Sequence, residues 1–274
     1  MGHKSQFRTI EISDPDFEQD GLRILTVKTP NLQGRGDVCL FIPEVDETIR
    51  DLPIYLLLHG VYGSAWVWAW KGGAHRTARR LIREQTIQPA IIAMPSDGLW
   101  GDGSAYFGHH GKKFDRWIVE DVPQLIRGTI PAATEGTALC IGGLSMGGYG
   151  ALSLGARFSE SFAAVSGHSS ITRLEQMVDF VEEPLSEYTA YSEWPDVIDT
   201  IKAHRNRLPA IRFDCGTSDP LLEANQLLHQ QLQEAGIPHV YEEFPGGHEW
   251  PYWQEQVERT FHFFNQAVFG SANS

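Results

Sequence analysis

The sequence predicts an α/β fold, a mostly parallel twisted sheet flanked by helices, with an antiparallel portion near the N-terminus and one small insertion. Three observations lead there. Short β-prone segments separated by turn residues open the chain, and from Pro53 onward apolar runs of strand length alternate with helical stretches. The 274 residues, 42% hydrophobic and 21% charged, are enough to bury a large core within one domain.

Segments 7–12, 22–27 and 38–42 are the early strands, and Asn31, Gly34 and Gly36 punctuate them as in an antiparallel meander. The later strands are expected at 54–58, 90–94, 138–141, 162–165, 211–213 and 240–244. Continuous apolarity, as at 54–58, 90–94 and 138–141, implies burial on both faces, which helices on either side of a parallel sheet provide. Helices are expected over 77–84, 114–127, 147–158, 220–235 and 253–268, where apolar residues recur at three- and four-residue steps. The stretch 169–208 is polar, bears Trp and Tyr, and lacks a clear strand. It reads as a small cap-like insertion over the strand ends, inside a single domain spanning 1–274.

With 22 Lys and Arg against 35 Asp and Glu, the net charge is −13, which repels polyanions. The one basic cluster, Arg76, Arg79, Arg80 and Arg83, has the spacing of a solvated helix face, so no nucleic-acid partner is expected. Cys39, Cys140 and Cys215 lie far apart with no CxxC or Cys/His metal spacing, and read as buried free thiols. A loose resemblance of 96–103 to a calcium loop fails on ligand spacing and on the missing terminal glutamate, so no metal is expected. The polar start and the lack of a long apolar run predict no membrane partner and a cytoplasmic location. Secretion after loss of a leader and homo-oligomerisation stay open.

The segment Gly142-Gly143-Leu144-Ser145-Met146-Gly147-Gly148 contains G-x-S-x-G between an apolar strand and an Ala/Leu-rich helical stretch. A serine on so sharp a turn has strained backbone angles, and the flanking glycines remove side chains that would collide. Its hydroxyl projects beyond the strand end, beside a helix N-terminus that favours developing negative charge. A serine nucleophile needs a base, and His248 in Pro245-Gly246-Gly247-His248-Glu249-Trp250 sits in a glycine loop between the last strand and the last helix. Asp219, on the loop after strand 211–213, is the expected acid; the bland alternative is a helix cap before Pro220. Asp214 is second, because it is still in the strand and the pleat fixes its direction. His109, His110 and His168 read as pocket or surface residues.

The oxyanion donors are expected at the amide of Met146, directly after the nucleophile, and at Val61 in the loop His59-Gly60-Val61-Tyr62-Gly63, with Tyr62 next. Trp66, Trp68, Trp70, Trp100, Tyr106, Phe107, Trp250, Tyr252 and Trp253 gather around these loops. Of the aromatics, Tyr62, Trp66, Trp100 and Trp250 are the candidates for touching substrate. They suggest an apolar or sugar-stacking rim.

At these residues the chain resembles the esterase family of α/β-hydrolases that groups esterase D (S-formylglutathione hydrolase), tributyrin, feruloyl and acetyl-xylan esterases, and mycolyl transferases. Leu57-Leu58-His59-Gly60, the Gly-Leu-Ser-Met-Gly-Gly turn, Cys215-Gly216-Thr217-Ser218-Asp219 and Gly246-Gly247-His248-Glu249-Trp250 carry the resemblance, from about Pro53 to the chain end. It implies an α/β-hydrolase fold, a Ser145, Asp219 and His248 triad, an acyl-enzyme route and no cofactor. The loop at His59 departs from the threonine- and cysteine-containing segment of S-formylglutathione hydrolases, which argues for a short acyl or aryl ester, on carbohydrate or otherwise, over a thioester. Acyl transfer by the same triad, and a catalytically silent carbohydrate- or protein-binding protein, are the alternatives.

Overall fold

The computed structural model describes residues 7–188 and 196–270; residues 1–6, 271–274 and 189–195, the last being part of the stretch read as an insertion, lie outside them. Strands β1 (Thr9–Ile12), β2 (Leu22–Thr29), β3 (Gly34–Phe41), β4 (Ile54–Leu58), β5 (Ile91–Pro95), β6 (Leu139–Leu144), β7 (Ala164–His168), β8 (Ala210–Gly216) and β9 (Val240–Phe244) form one sheet among the described residues. Its order is β1-β2-β3-β5-β4-β6-β7-β8-β9. The first three strands are an antiparallel meander joined to β5, and β4 through β9 run parallel.

The pleat divides each central strand between two cores. Along β4, Ile54, Leu56 and Leu58 enter one cluster with Phe114, Trp117 and Leu152, while Tyr55 and Leu57 enter the other with Trp68, Phe261 and Phe264. All five side chains are fully buried, each contributing about 1.5–3 kcal/mol for a large aliphatic group. Helices α1 (Val67–Trp70), α2 (Ala74–Arg83), α3 (Phe114–Arg116), α4 (Val122–Thr129), α5 (Met146–Arg157), α6 (Val197–Ala203), α7 (Leu222–Glu234) and α8 (Trp250–Phe269) cover the two faces.

The expected helix over 114–127 is broken into α3 and α4 by a π turn at Trp117–Asp121. Pro123 has no N–H to give the carbonyl four residues back, and the Val122 amide instead reaches the Trp117 carbonyl. α1 and α6 are too short to leave a periodic signal and were not expected. α8 begins three residues earlier than its apolar periodicity, with Pro251 in its first turn, where a missing N–H costs nothing. Arg79 pairs with Asp20 at 3.0 Å and Arg80 with Glu84 at 3.0 Å, so the basic helix face is tied to local carboxylates. The three cysteines are free and buried, and burial pushes their thiols up, Cys39 to about 12. No helix among the described residues is long and apolar enough to cross a membrane.

Register positions the chemistry. Leu144, His168 and Asp214 are Cα neighbours across β6, β7 and β8, and Gly216 pairs with Phe244 of β9. The loops that follow β6, β8 and β9 therefore leave the sheet along one rim, and they carry Ser145, Asp219 and His248.

Candidate active site

Ser145 is the single residue between β6 and α5, at φ 54° and ψ −119°. Few non-glycine residues adopt that conformation, and it persists here because the surroundings hold it. Its amide donates to the His168 carbonyl at 2.9 Å, and its carbonyl accepts from Ile171 at 3.2 Å and Tyr149 at 3.1 Å. A Cβ at Gly143 would run into the Gly147 carbonyl, and one at Gly147 into the carbonyls of Leu58 and His59. The glycines on either side are thus required by close backbone approach. Ser145 is 2% exposed.

His248 ends the loop after β9, one residue before the N-cap of α8. Its Nε2 is 3.0 Å from the Ser145 Oγ, and its Nδ1 is 2.9 and 3.1 Å from the two carboxylate oxygens of Asp219. Burial alone would raise the Asp219 carboxyl, but hydrogen bonds from His248, the Leu221 amide and Ser169 outweigh it and hold the group below its ordinary value. An ionised carboxylate only accepts, so the Nδ1 carries the proton and the Nε2 is left to accept from the serine hydroxyl. Asp219 is not the cap of α7, which starts at Leu222 with Leu221 before it; its Oδ1 instead takes the Leu221 amide at 2.8 Å in the turn ahead of the helix, and that bond aims the carboxylate.

The loop after β4 is pinned from several sides. The Asp97 amide donates to the His59 Nε2 at 3.1 Å, which leaves the Nδ1 protonated and donating to the Gly60 carbonyl at 2.7 Å. Trp68 and Tyr106 hold the carbonyls of Leu58 and His59, each at 2.9 Å. The Tyr62 amide, an alternative oxyanion donor by sequence, is already given to the Asp102 carbonyl at 2.8 Å. The Val61 and Met146 amides have no hydrogen-bond partner among the described residues.

Ser145 and His248 open into a cleft of about 480 Å³. Tyr62, Trp66 and Trp250 line it, as do Trp253 and Phe180. The imidazole of His248 lies between two rings, Phe180 at 5.2 Å and the edge of Trp253 at 5.0 Å. Phe180 comes from the stretch after β7 and carried no signal in the sequence, since nothing local distinguishes it from a core aromatic.

The sequence model of a family described as "Putative esterase" matches residues 29–264. The chain belongs to this esterase family. An acetyl esterase of Caldicellulosiruptor saccharolyticus is 25% identical to it over 264 residues, 89% of this chain and 92% of that protein. An esterase of Mycobacterium tuberculosis is 26% identical over 73% of this chain and 49% of its own length. Among solved structures, a ferulic acid esterase superposes with a TM-score of 0.77 at 23% identity, covering 94% of this chain and 98% of its own. An S-formylglutathione hydrolase of Staphylococcus aureus gives 0.75 at 18% identity, covering 93% and 99%. These structures share the α/β-hydrolase fold, and the activity class of the chain is carboxylic ester hydrolysis.

Two sequence expectations for the esterase need correction. Trp100 does not line the cleft at Ser145: its ring is packed against His109 at 4.4 Å, Tyr188 at 5.0 Å and His110 at 5.2 Å. In that cluster burial pushes the His109 imidazole down to about 4, so it stays neutral among its aromatic neighbours. His168 is neither a pocket nor a surface residue but fully buried, with its Nδ1 2.8 Å from Asp214 and its Nε2 2.9 Å from the Thr260 Oγ1. Asp214 also accepts from Arg212 at 2.5 Å and Tyr252 at 2.7 Å. Burial raises its carboxyl, yet the interaction with His168, the Arg212 charge and the Tyr252 hydrogen bond prevail and hold it below its ordinary value.

Proposed function

We propose that the esterase hydrolyses short acyl or aryl esters of small molecules, carbohydrate esters among them, through an acyl-enzyme on Ser145. The observation that carries this reading is the unbroken series of hydrogen bonds from the Asp219 carboxylate through His248 to the Ser145 hydroxyl, 2.9 and 3.0 Å long, at the floor of an aromatic cleft. As the Ser145 Oγ attacks the ester carbonyl, its proton passes to the His248 Nε2. The imidazolium is stabilised by Asp219, which its hydrogen bonds with His248 and the Leu221 amide keep ionised in spite of its burial. The negative charge on the former carbonyl oxygen falls to the amides of Met146 and Val61, two donors with no competing partner. Met146 is the first residue of α5, where the helix dipole adds to the effect. His248 then returns the proton to the leaving alcohol, and water repeats the sequence to free the acid.

The aromatic walls, the acetyl esterase relative and the ferulic acid esterase neighbour support a small or flat acyl group. Turnover of p-nitrophenyl acetate and butyrate by the purified protein tests the reading. Ser145→Ala is expected to lower kcat by about 10⁵-fold or more and to abolish labelling by a fluorophosphonate probe. Labelling elsewhere, or equal turnover by the variant, would overturn it.

A further inference from the structure

Ser169 is the first residue after β7, fully buried, and it holds a φ of 47°, a left-handed conformation that residues with a Cβ rarely adopt. Such strain persists only where the surroundings over-determine it, and it gathers at functional sites. Here the backbone is fastened on three sides. The Ser169 amide donates to the Asp214 carbonyl of β8 at 2.8 Å, and the preceding carbonyl, of His168, receives the Ser145 amide at 2.9 Å. The Ser170 carbonyl takes the Asn225 side chain of α7 at 2.9 Å. The strained turn is therefore built between the inner strands and the serine turn, and it fixes where the Ser169 side chain goes.

That side chain joins the outer series. The Ser169 hydroxyl is hydrogen-bonded to the Asp219 carboxylate, accepts the Trp253 indole N–H at 3.3 Å and meets the Cys215 thiol. It has one proton to give, and the partners decide its direction. An indole nitrogen only donates, and burial pushes the Cys215 thiol up so that it keeps its own proton. An ionised carboxylate only accepts, so the serine proton lies on the bond to Asp219. Asp219 is 5% exposed and otherwise has the Leu221 amide and the His248 Nδ1 for its oxygens. Without the hydroxyl, a buried carboxylate would lack one donor and one restraint on its rotation. The second partner matters too, since the edge of the Trp253 ring stands 5.0 Å from the His248 imidazole. One hydroxyl thus holds both the acid behind the imidazole and a ring beside it.

We propose that Ser169 is a positioning residue of the hydrolytic centre, a fourth member behind Asp219 whose hydroxyl fixes the carboxylate and the Trp253 indole in the arrangement that orients His248. The role presupposes the ester-hydrolysing reading of Ser145 and adds a residue to it. Ser169 acts through Asp219 and reaches no reacting atom, so its effect falls on kcat rather than on KM.

Ser169→Ala and Ser169→Gly both remove the hydroxyl, and glycine also relieves the positive φ. With p-nitrophenyl butyrate each variant is expected to lower kcat by about tenfold, the worth of one hydrogen bond to a charged group, with KM changed by less than about twofold. A carboxylate that loses a donor holds the proton it shares with His248 more tightly, so the acid limb of kcat against pH should move to higher pH in both variants. The downfield proton resonance of the His248 Nδ1 should move in both as well. A lower melting temperature with native kcat, acid limb and resonance below the transition would make Ser169 mere scaffold and overturn the role. Native kcat in Ser169→Gly, with loss only in Ser169→Ala, would overturn it equally, by placing the effect in the backbone. Failure of the native protein to turn over any ester would instead strike at the Ser145 reading, and the His248 resonance, which needs no substrate, still reports on the bond from Ser169 to Asp219.

Discussion

Two series of carboxylate, imidazole and hydroxyl occur in this protein, and their acids are five residues apart in sequence. Asp219, His248 and Ser145 are joined at 2.9 and 3.0 Å, and Asp214, His168 and Thr260 at 2.8 and 2.9 Å. The distances do not separate them. What does is access: the His248 side chain is 17% exposed above a cleft, whereas His168 and Thr260 are fully buried among β7, β8 and α8. The second hydroxyl is also engaged elsewhere, by the Ser166 Oγ at 2.6 Å, and the second acid has Arg212 as a counter-charge. The same chain of atoms thus serves reaction at the rim and cohesion in the interior. The inner series ties three elements together: Tyr252 in the first turn of α8 donates to Asp214, Ser169 after β7 donates its amide to the Asp214 carbonyl at 2.8 Å, and the His168 carbonyl receives the Ser145 amide at 2.9 Å.

The largest effect separating the two series is expected from Asp219→Asn, which leaves the imidazole with the wrong tautomer facing Ser145. It should lower kcat for p-nitrophenyl butyrate by about 10⁴-fold, with a smaller drop in melting temperature than the inner variant shows. The equivalent change in the inner series, Asp214→Asn, removes the fully buried one of the two carboxylates that face the Arg212 guanidinium, the other being Glu242 at 3.0 Å. It should cost about 3–5 kcal/mol and lower the melting temperature by about 10 °C, with a much smaller loss of kcat below the transition. A comparable loss of kcat in both variants with unchanged melting would break the comparison.

A smaller effect distinguishes them by pH. Both carboxyls ionise more readily in the folded than in the unfolded chain, so their contribution to stability is complete above the ordinary carboxylate value of about 4. It is lost as pH falls through their lowered folded values. The melting temperature of the native protein should therefore decline below about pH 4, and Asp214→Asn should show a shallower decline from its lower starting point. Parallel slopes in calorimetric scans would mean that the inner carboxylate does not contribute in this way.

The features legible without coordinates are those governed by local sterics and by period. Gly143 and Gly147 announce the turn at Ser145 because side chains there collide with backbone a few residues or one loop away, whatever the rest of the fold does. The apolar runs announce β4 to β6, where strands buried on both faces are apolar; β7 and β8 bury Ser166, His168, Arg212 and Asp214, and β9 lies at the sheet edge and is half polar. Asp219 could be ranked above Asp214 because a residue inside a pleated strand cannot choose its direction. His168 was misjudged for the complementary reason: its role depends on partners 46 and 92 residues away, and no pattern near it records them.

Sequence by itself determined the order of the elements, the strained serine turn, and the residues that the structure brings together at one rim. Tertiary structure alone decided which amides stay unpaired, since the Tyr62 N–H is taken by a carbonyl forty residues on. It also decided that Phe180 covers His248 while Trp100 turns into a separate aromatic cluster. The physical reason is range: strain and periodicity act over a few residues, whereas the partner of a hydrogen bond or a ring is set by which distant segments the packed sheet happens to bring side by side.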